Sequence, residues 1–464
     1  MPIPAGYDYP IAIGSVAKAA QLFGQGSMLA RMVSKYLRIN PVGVLYVYPL
    51  ADPVAGVVAT GSVTITAAPT DYGTLSLYVA GQRLQVLVTS SDTPATVATA
   101  LAAALNANTY LPITAAVDGT TPGKVNLTTK WKGATGNDIS IIPNFGGTLA
   151  GEAMPSGLAL TVAPMAGGTG APDMTGCVAA LADNEYDFVA MPYTDTASLQ
   201  VWDAEYGFSA AGRWGWLREL YGSVFSARRD TYAGHMAWGP TGNSGVTTVM
   251  AVEAGSPTPV WEWTAAYTAQ AAQALVSDPG RPLQSLELSG ILPAPRSGRF
   301  SKSMLNAMAG VGLAVQAIGP SGYPLIQIEA TRWQVNSYGQ PDAAYGLVTT
   351  LHTLAWLLRR MKATITSKYP RHKLANDGTK FAVGQAIVTP KIIKAELISE
   401  YRQAEYLGMV ENTVQFIANL VVVRNSTNPN RVDILYPPDL INGLRIFAVL
   451  AQFRLQYADQ LIAS

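Results

Sequence analysis

This chain of 464 residues is short of the residue types on which most catalysis and metal binding depend. It has one cysteine, three histidines and only 13% charged residues. A single cysteine, Cys177, excludes an internal disulfide and suits synthesis in a reducing cytoplasm. His235, His352 and His372 are scattered, with no pair at metal-ligand spacing, and no D-x-D-x-D-G calcium pattern occurs. A serine hydrolase needs a nucleophile, a histidine base and an orienting carboxylate, yet no G-x-S-x-G is present. His352 falls within an apolar helical pattern and reads as a core residue, and His372 sits in Arg371-His372-Lys373 away from any serine elbow. His235 precedes Gly242-Asn243-Ser244-Gly245, the nearest approach to a nucleophile loop, but no acid completes it. Gly123-Lys124 is followed by valine, and Gly24-x-Gly26 lacks a third glycine, so neither is a phosphate loop. No enzyme activity and no cofactor are expected. No apolar run approaches membrane-spanning length, and the start, MPIPAGYDYP, lacks the basic and apolar regions of a signal peptide. A net charge of +1 argues against a large nucleic-acid footprint.

What is present is apolar bulk. Hydrophobic residues make up 49% of the chain, and the length allows two to four domains. So few charges on a chain without membrane spans suggest a surface largely covered by other subunits. The charges are unevenly placed. From Arg359 to the end there are 14 Lys+Arg and 8 Asp+Glu, a net of +6, which leaves 17 against 22, a net of −5, before it. Such an excess is a solvated basic face or a docking surface for an acidic partner.

Ser15 is placed to cap a helix from Val16 that ends at Gly24, a second helix runs to about Leu37, and 42–48 reads as a buried strand. From about Val54 the pattern alternates (Val63, Ile65; Leu75, Leu77, Val79; Leu84, Val86, Val88) and predicts strands. Thr93 and Pro94 then open a helix burying Val97, Leu101 and Leu105. Further strands are expected at 125–127, 139–141 and 158–162. A small β-rich unit therefore interrupts an α/β body. The body resumes with a helix to Leu181, a buried strand from Tyr186, helical segments through Arg213 to about Ser226, and a strand at 246–252. An alanine-rich helix ending near Ser277 and a loop and strand at 282–290 follow. Two long helices are expected next, one starting near Pro341 and one from Pro390 to Gly408 with Thr389 as its cap. Near the end, 432–436 reads as a strand stopped by Pro437 and Pro438. After the Asn442-Gly443 turn, residues 444–457 carry strand chemistry, with Phe447, Val449, Phe453, Leu455 and Tyr457 along one face. Two readings stay open: a core strand that surfaces at its tip, or a terminal strand completing a neighbouring subunit's sheet across a hinge at Asn442-Gly443.

The run Asn428-Pro429-Asn430-Arg431, then Pro437-Pro438-Asp439-Leu440, then Leu444-Arg445-Ile446-Phe447-Ala448-Val449-Leu450 and Gln452-Phe453-Arg454-Leu455 resembles the C-terminal signature of Mu-like contractile phage tail sheath proteins. Thr331-Arg332-Trp333-Gln334-Val335-Asn336-Ser337-Tyr338-Gly339 and the stretches 20–30, 371–380 and 383–390 resemble the same family in the same order. The resemblance spans Tyr9 to Leu455.

It implies a mixed-sheet α/β body, subtilisin-like in the family, with an inserted β-rich domain on the outer surface. The implied division is 1–53 and 166–370 for the body, 54–165 for the insertion, and 371–464 for a tube-facing C-terminal region. It further implies a structural subunit of stacked hexameric rings forming a helical sheath around a tail tube. The partners are then the tube, baseplate and tail terminator proteins, with no nucleic acid and no membrane insertion. The subunit is made in the host cytoplasm and ends in the virion tail, where contraction drives the tube through the host envelope. With no nucleotide site, the energy for that movement comes from protein packing. Arg371, Lys373, Lys380, Lys391 and Lys394 are the expected tube-facing residues, and Arg445, Phe447, Val449, Phe453, Leu455 and Tyr457 the expected inter-subunit strand. A hydrolase-like enzyme, or another tail component such as a baseplate or tube protein, are the rival readings. One departure stands out. The family carries an extended N-terminal arm before the segment like Tyr9 to Phe23, whereas here that segment nearly opens the chain, leaving open a missing arm or a natural start further upstream.

Overall fold

The structure is a computed structural model and describes residues 9–450. The body is organised around the helix Val260–Ser277, which is buried on nearly every side. Its sequence explains this: Trp261, Trp263 and Tyr267 supply bulk, while Ala265, Ala266, Ala269, Ala271 and Ala272 let neighbours approach closely. A helix apolar all round belongs inside a protein. Against it lies a parallel sheet in the order Phe188–Ala190, Ser223–Asp230, Thr247–Glu253. The last of these strands is buried at every position, as a covered parallel strand must be. Tyr267 meets Phe225 edge-on at 5.1 Å, and its hydroxyl lies 3.0 Å from Thr248 Oγ1. A parallel bridge between Met250 and Ala314 carries the sheet on to the antiparallel pair Val315–Ile318 and Pro324–Ile328.

The β-rich part contains a four-stranded antiparallel sheet ordered Ile113–Val117, Lys124–Lys132, Val58–Ala67, Ala159–Ala166. A three-stranded sheet, Gln82–Val88, Gly73–Val79, Ile141–Pro143, lies beside it. The helix Pro94–Ala107 starts with Thr93 and Thr96 bonding each other's backbone N–H, and it buries Val97, Leu101 and Leu105 at the expected spacing.

This part shares one continuous core with the body. Trp131 stands edge-on to Trp261 at 5.4 Å. Arg31, on the helix Met28–Ile39, donates through Nε to Glu262 Oε1 at 2.6 Å and through its Nη atoms to the carbonyls of Ala80 at 2.9 Å and Tyr110 at 3.0 Å. Lys35 Nζ lies 3.1 Å from the other Glu262 oxygen.

The helix Val348–Lys368 joins the body to the C-terminal region. Val348 packs into the main core, and His352 stacks on Phe188 at 4.7 Å. Further along, Leu357 packs with Leu397, Tyr401 and Phe416, with the rings of Tyr401 and Phe416 stacked at 3.7 Å. The helix Pro390–Tyr406 and the hairpin Val421–Arg424 with Val432–Leu435 complete this region.

Several expectations are corrected. The strand expected at 42–48 shortens to Tyr46–Val47, because Asn40 Oδ1 accepts from Gly43 N–H and turns the chain, leaving Val42 and Val44 exposed. The helix expected to run past Arg213 is Thr196–Tyr206. Beyond it, Gly207, Gly212 and Gly215 let turns fold so tightly that a Cβ on Gly212 would overlap the Gly207 carbonyl, and Ser223–Asp230 is strand. Residues 282–290 make one bridge, Glu287 to Leu325, and no strand. The helix expected near Pro341 begins at Val348, because Pro341 is held in a bridge to Val335. Ile113–Val117 is a strand that the sequence reading missed.

Candidate assembly surface

The groups a hydrolase would need are engaged elsewhere. His235 is buried, with Nε2 3.1 Å from the Val252 carbonyl oxygen, and burial lowers its pKa. His352 is buried too, and burial lowers its pKa to about 4. His372 lies edge-on to Tyr369. Ser244 donates to Asp203 Oδ1 at 2.6 Å, so the Gly242 to Gly245 loop presents its serine to a carboxylate rather than to a base. Burial pushes the Cys177 thiol up to about 12, far from a reactive thiolate. Among the described residues no three His, Cys, Asp or Glu side chains group as metal ligands, and no helix is long and apolar enough to cross a membrane.

The basic residues singled out after Arg359 cluster around the loop 369–389 and the start of the helix Pro390–Tyr406. Arg371, Lys373, Lys380 and Lys391 are exposed. Lys394 is half-buried and donates to the Leu420 carbonyl at 2.7 Å, closing the end of the helix Thr413–Asn419. Thr389 stands at the cap position of Pro390–Tyr406 but forms no capping bond to it. Asp377 supplies the cap instead, accepting from Lys391 N–H at 3.0 Å. Hydrogen bonds from Thr389 and Lys391 hold its carboxyl below the usual range. Across the two long helices, Glu396 accepts from Lys368 at 2.5 Å and Tyr369 at 2.9 Å, which lowers its pKa also.

Among the described residues, the terminal stretch is docked as far as Arg445 and no further. Asp439–Leu440 pairs with Val410–Glu411, and Ile441 N–H donates to the Met409 carbonyl at 3.2 Å. Beyond Gly443 the apolar side chains stand in solvent: Leu444 is 80% exposed, Ile446 81%, Phe447 85%, Val449 67% and Leu450 88%. No strand forms over 441–450, so the core-strand reading fails for these residues. Phe453, Leu455 and Tyr457 lie outside the described residues. Arg445 points inward, its Nη1 2.9 Å from Glu329 Oε2 and its Nη2 2.5 Å from Oε1. Glu329 is fully buried. The sequence reading missed it, because no spacing rule joins two residues 116 positions apart. It also missed Trp216, exposed on the 207–219 turns, over which the Arg431 guanidinium sits at 5.0 Å.

Comparison with known proteins gives these features a family. Residues 167–318 match the phage tail sheath protein central domain, and residues 340–454 match the phage tail sheath C-terminal domain. A Mu-like prophage tail sheath protein from Haemophilus influenzae is 37% identical over 443 residues, covering 96% of this chain and 88% of that protein. Among solved structures, a sheath tail protein from Listeria innocua aligns over 94% of this chain and 89% of its own length at 10% identity, with a TM-score of 0.48. The contracted helical sheath of the anti-feeding prophage aligns over 65% of this chain and 79% of its own at 11% identity, with a TM-score of 0.37. The extent and identity of the sequence match are decisive: this chain belongs to the phage tail sheath family, as a structural subunit of a contractile tail sheath and not an enzyme.

Proposed function

We propose that this subunit polymerises as stacked hexameric rings in a helical sleeve around a tail tube, and that the chain beyond Arg445 joins each subunit to the next by adding a strand to its neighbour's sheet. The observation that carries this reading is the unbroken row of exposed apolar residues from Ile446 to Leu450 on a segment that has left its own body. A row of that kind is costly in a free subunit and is explained by a partner that covers it. Each large side chain gains about 1.5–3 kcal/mol on burial. Leu444, Ile446, Phe447, Val449 and Leu450 together therefore provide on the order of 10 kcal/mol before the cost of ordering the segment, about 1–2 kcal/mol per residue, is set against it. The favoured acceptor is the hairpin Val421–Arg424 with Val432–Leu435, whose two strands pair with no other strand among the described residues and whose Val421, Val423 and Leu435 side chains are exposed.

In this reading 1–53 and 166–370 form the body, with a parallel sheet as the counterpart of the subtilisin-like core, and 54–165 lies on the outside of the sleeve. The region 371–464 turns toward the tube, with the helix Val348–Lys368 shared between it and the body. Arg371, Lys373, Lys380 and Lys391 face an acidic tube surface. Lys394 has the weaker claim, since its ammonium is engaged with Leu420. Baseplate and terminator proteins meet the ends of the sleeve, which is assembled in the host cytoplasm before it joins the virion.

The deciding experiment removes residues 446–464 and keeps Arg445, so that Glu329 retains its counter-charge. The expected product is a folded monomer by circular dichroism and size exclusion that forms no sleeves in negative stain. Sleeves assembled from the truncated chain would rule out the linking role.

A further inference from the structure

We propose that Arg445 is a positioning residue: it clamps the root of the terminal segment to its own subunit through Glu329 and Thr349, and the pivot of the linkage begins at Ile446 rather than at Asn442-Gly443. The inference rests on the reading that the segment links subunits, but its geometry belongs to the single chain. Glu329 is fully buried beside the strand Pro324–Ile328, and a carboxylate taken out of water needs a cation with matching hydrogen bonds. Arg445 supplies it with two parallel N–H donors, the geometry in which guanidinium and carboxylate hold each other most firmly. Thr349 Oγ1 donates to Glu329 Oε1 at 3.2 Å and accepts from Arg445 Nη2 at 3.0 Å, closing a three-membered cluster at the first turn of the helix Val348–Lys368.

The hinge expected at Asn442-Gly443 is enclosed between two anchors. Ile441 N–H bonds the Met409 carbonyl on one side, and Arg445 reaches Glu329 on the other. At Gly443 between them, an added Cβ would sit 2.3 Å from Pro282 Cγ, so the backbone presses directly on the body. Leu444 is already exposed, but Arg445 holds to the body through Glu329, and every residue from Ile446 to Leu450 is exposed. If the buried cluster stays closed while neighbouring subunits move, displacement of a subunit is transmitted to its neighbour from a fixed point. A slack hinge would absorb it.

Limited proteolysis of the full chain, kept unassembled by dilution, tests the clamp independently of polymerisation. Trypsin cuts after Arg445 only when the clamp opens, whereas chymotrypsin cuts after Phe447, two residues on, without that opening. In the native chain the cut after Arg445 is expected to be much the slower by mass spectrometry. Glu329→Gln keeps the volume and removes the charge; it should speed the cut after Arg445 by about tenfold or more and leave the cut after Phe447 unchanged. Arg445→Lys, which trypsin still recognises, should give a smaller rise, and it carries the test if Glu329→Gln does not fold. Equal rates at the two bonds in the native chain, or rates unaffected by both substitutions, would overturn the clamp. In assembled material, Glu329→Gln should still give sleeves, with irregular axial spacing. Regular spacing from that variant would likewise overturn it. Loss of the linking role in the truncation experiment leaves the protease result standing, so the two readings fail separately.

Discussion

The ion pair between Arg31 and Glu262 offers the most informative perturbation, because Arg31, on the helix Met28–Ile39, bonds both the helix on which the body is built and the Ala80 and Tyr110 carbonyls of the β-rich part. Both side chains are almost fully buried. Removing one member of a buried pair costs about 3–5 kcal/mol, since the other charge stays behind without compensation. Here two features soften the loss. Arg31 keeps the carbonyls of Ala80 and Tyr110, and Lys35, which is partly exposed, keeps Gly290 as an acceptor. Glu262→Gln is therefore expected near the lower end, about 3 kcal/mol. For a chain of 464 residues unfolding as one unit that corresponds to a fall in melting temperature of about 3 °C. Arg31→Met alone should cost a similar amount. The double variant should cost less than the sum by about 2 kcal/mol, the signature of a direct interaction. The assay is urea unfolding of the unassembled chain, followed by circular dichroism and by the fluorescence of its nine tryptophans, Trp131 and Trp261 among them. Because the insertion and the body share one core, both probes should shift together. A coupling below about 0.5 kcal/mol, or an insertion that unfolds first and is indifferent to Glu262→Gln, would refute the fused-core argument.

Two further outcomes follow from the C-terminal half. His352 is neutral in the folded chain because burial lowers its pKa to about 4 from an ordinary 6.5, so an unfolded chain takes up its proton first as pH falls. Its contribution is complete above about pH 6.5, is lost between there and about pH 4, and amounts to about 3 kcal/mol across that window. His352→Phe, which preserves stacking on Phe188, should flatten the stability profile over that range, and a slope equal to that of the native chain would contradict this assignment. Exposed charge pairs are worth about 0–1 kcal/mol each and weaken with salt. Reversing Lys373 and Lys380 to Glu should accordingly reduce co-sedimentation with tail tubes at low ionic strength and matter little at high, and unchanged binding at low salt would remove these residues from the tube interface.

The sequence by itself determined the elements whose signals are local. Thr93-Pro94 and the spacing of Val97, Leu101 and Leu105 specify their helix because capping and periodicity act within a few residues, and the alternation around Val63 and Leu75 likewise specifies strands. It also determined family membership, since a long succession of ordinary residues in the same order is a strong signal even when none is catalytic. What only the tertiary structure decided depends on contacts that capping and periodicity signals do not encode. Thr389 reads as a cap, but Asp377 reaches the helix's Lys391 amide from the preceding loop. Arg213 reads as helical, but Gly207, Gly212 and Gly215 fold the chain into turns instead. Asn442-Gly443 reads as a hinge, but Ile441 bonds the Met409 carbonyl on one side of it and Arg445 reaches the buried Glu329 on the other. In each case local preference differs among conformations by a fraction of a kcal/mol to about 1 kcal/mol, and a side-chain cap, a close backbone contact or a buried charge outweighs it.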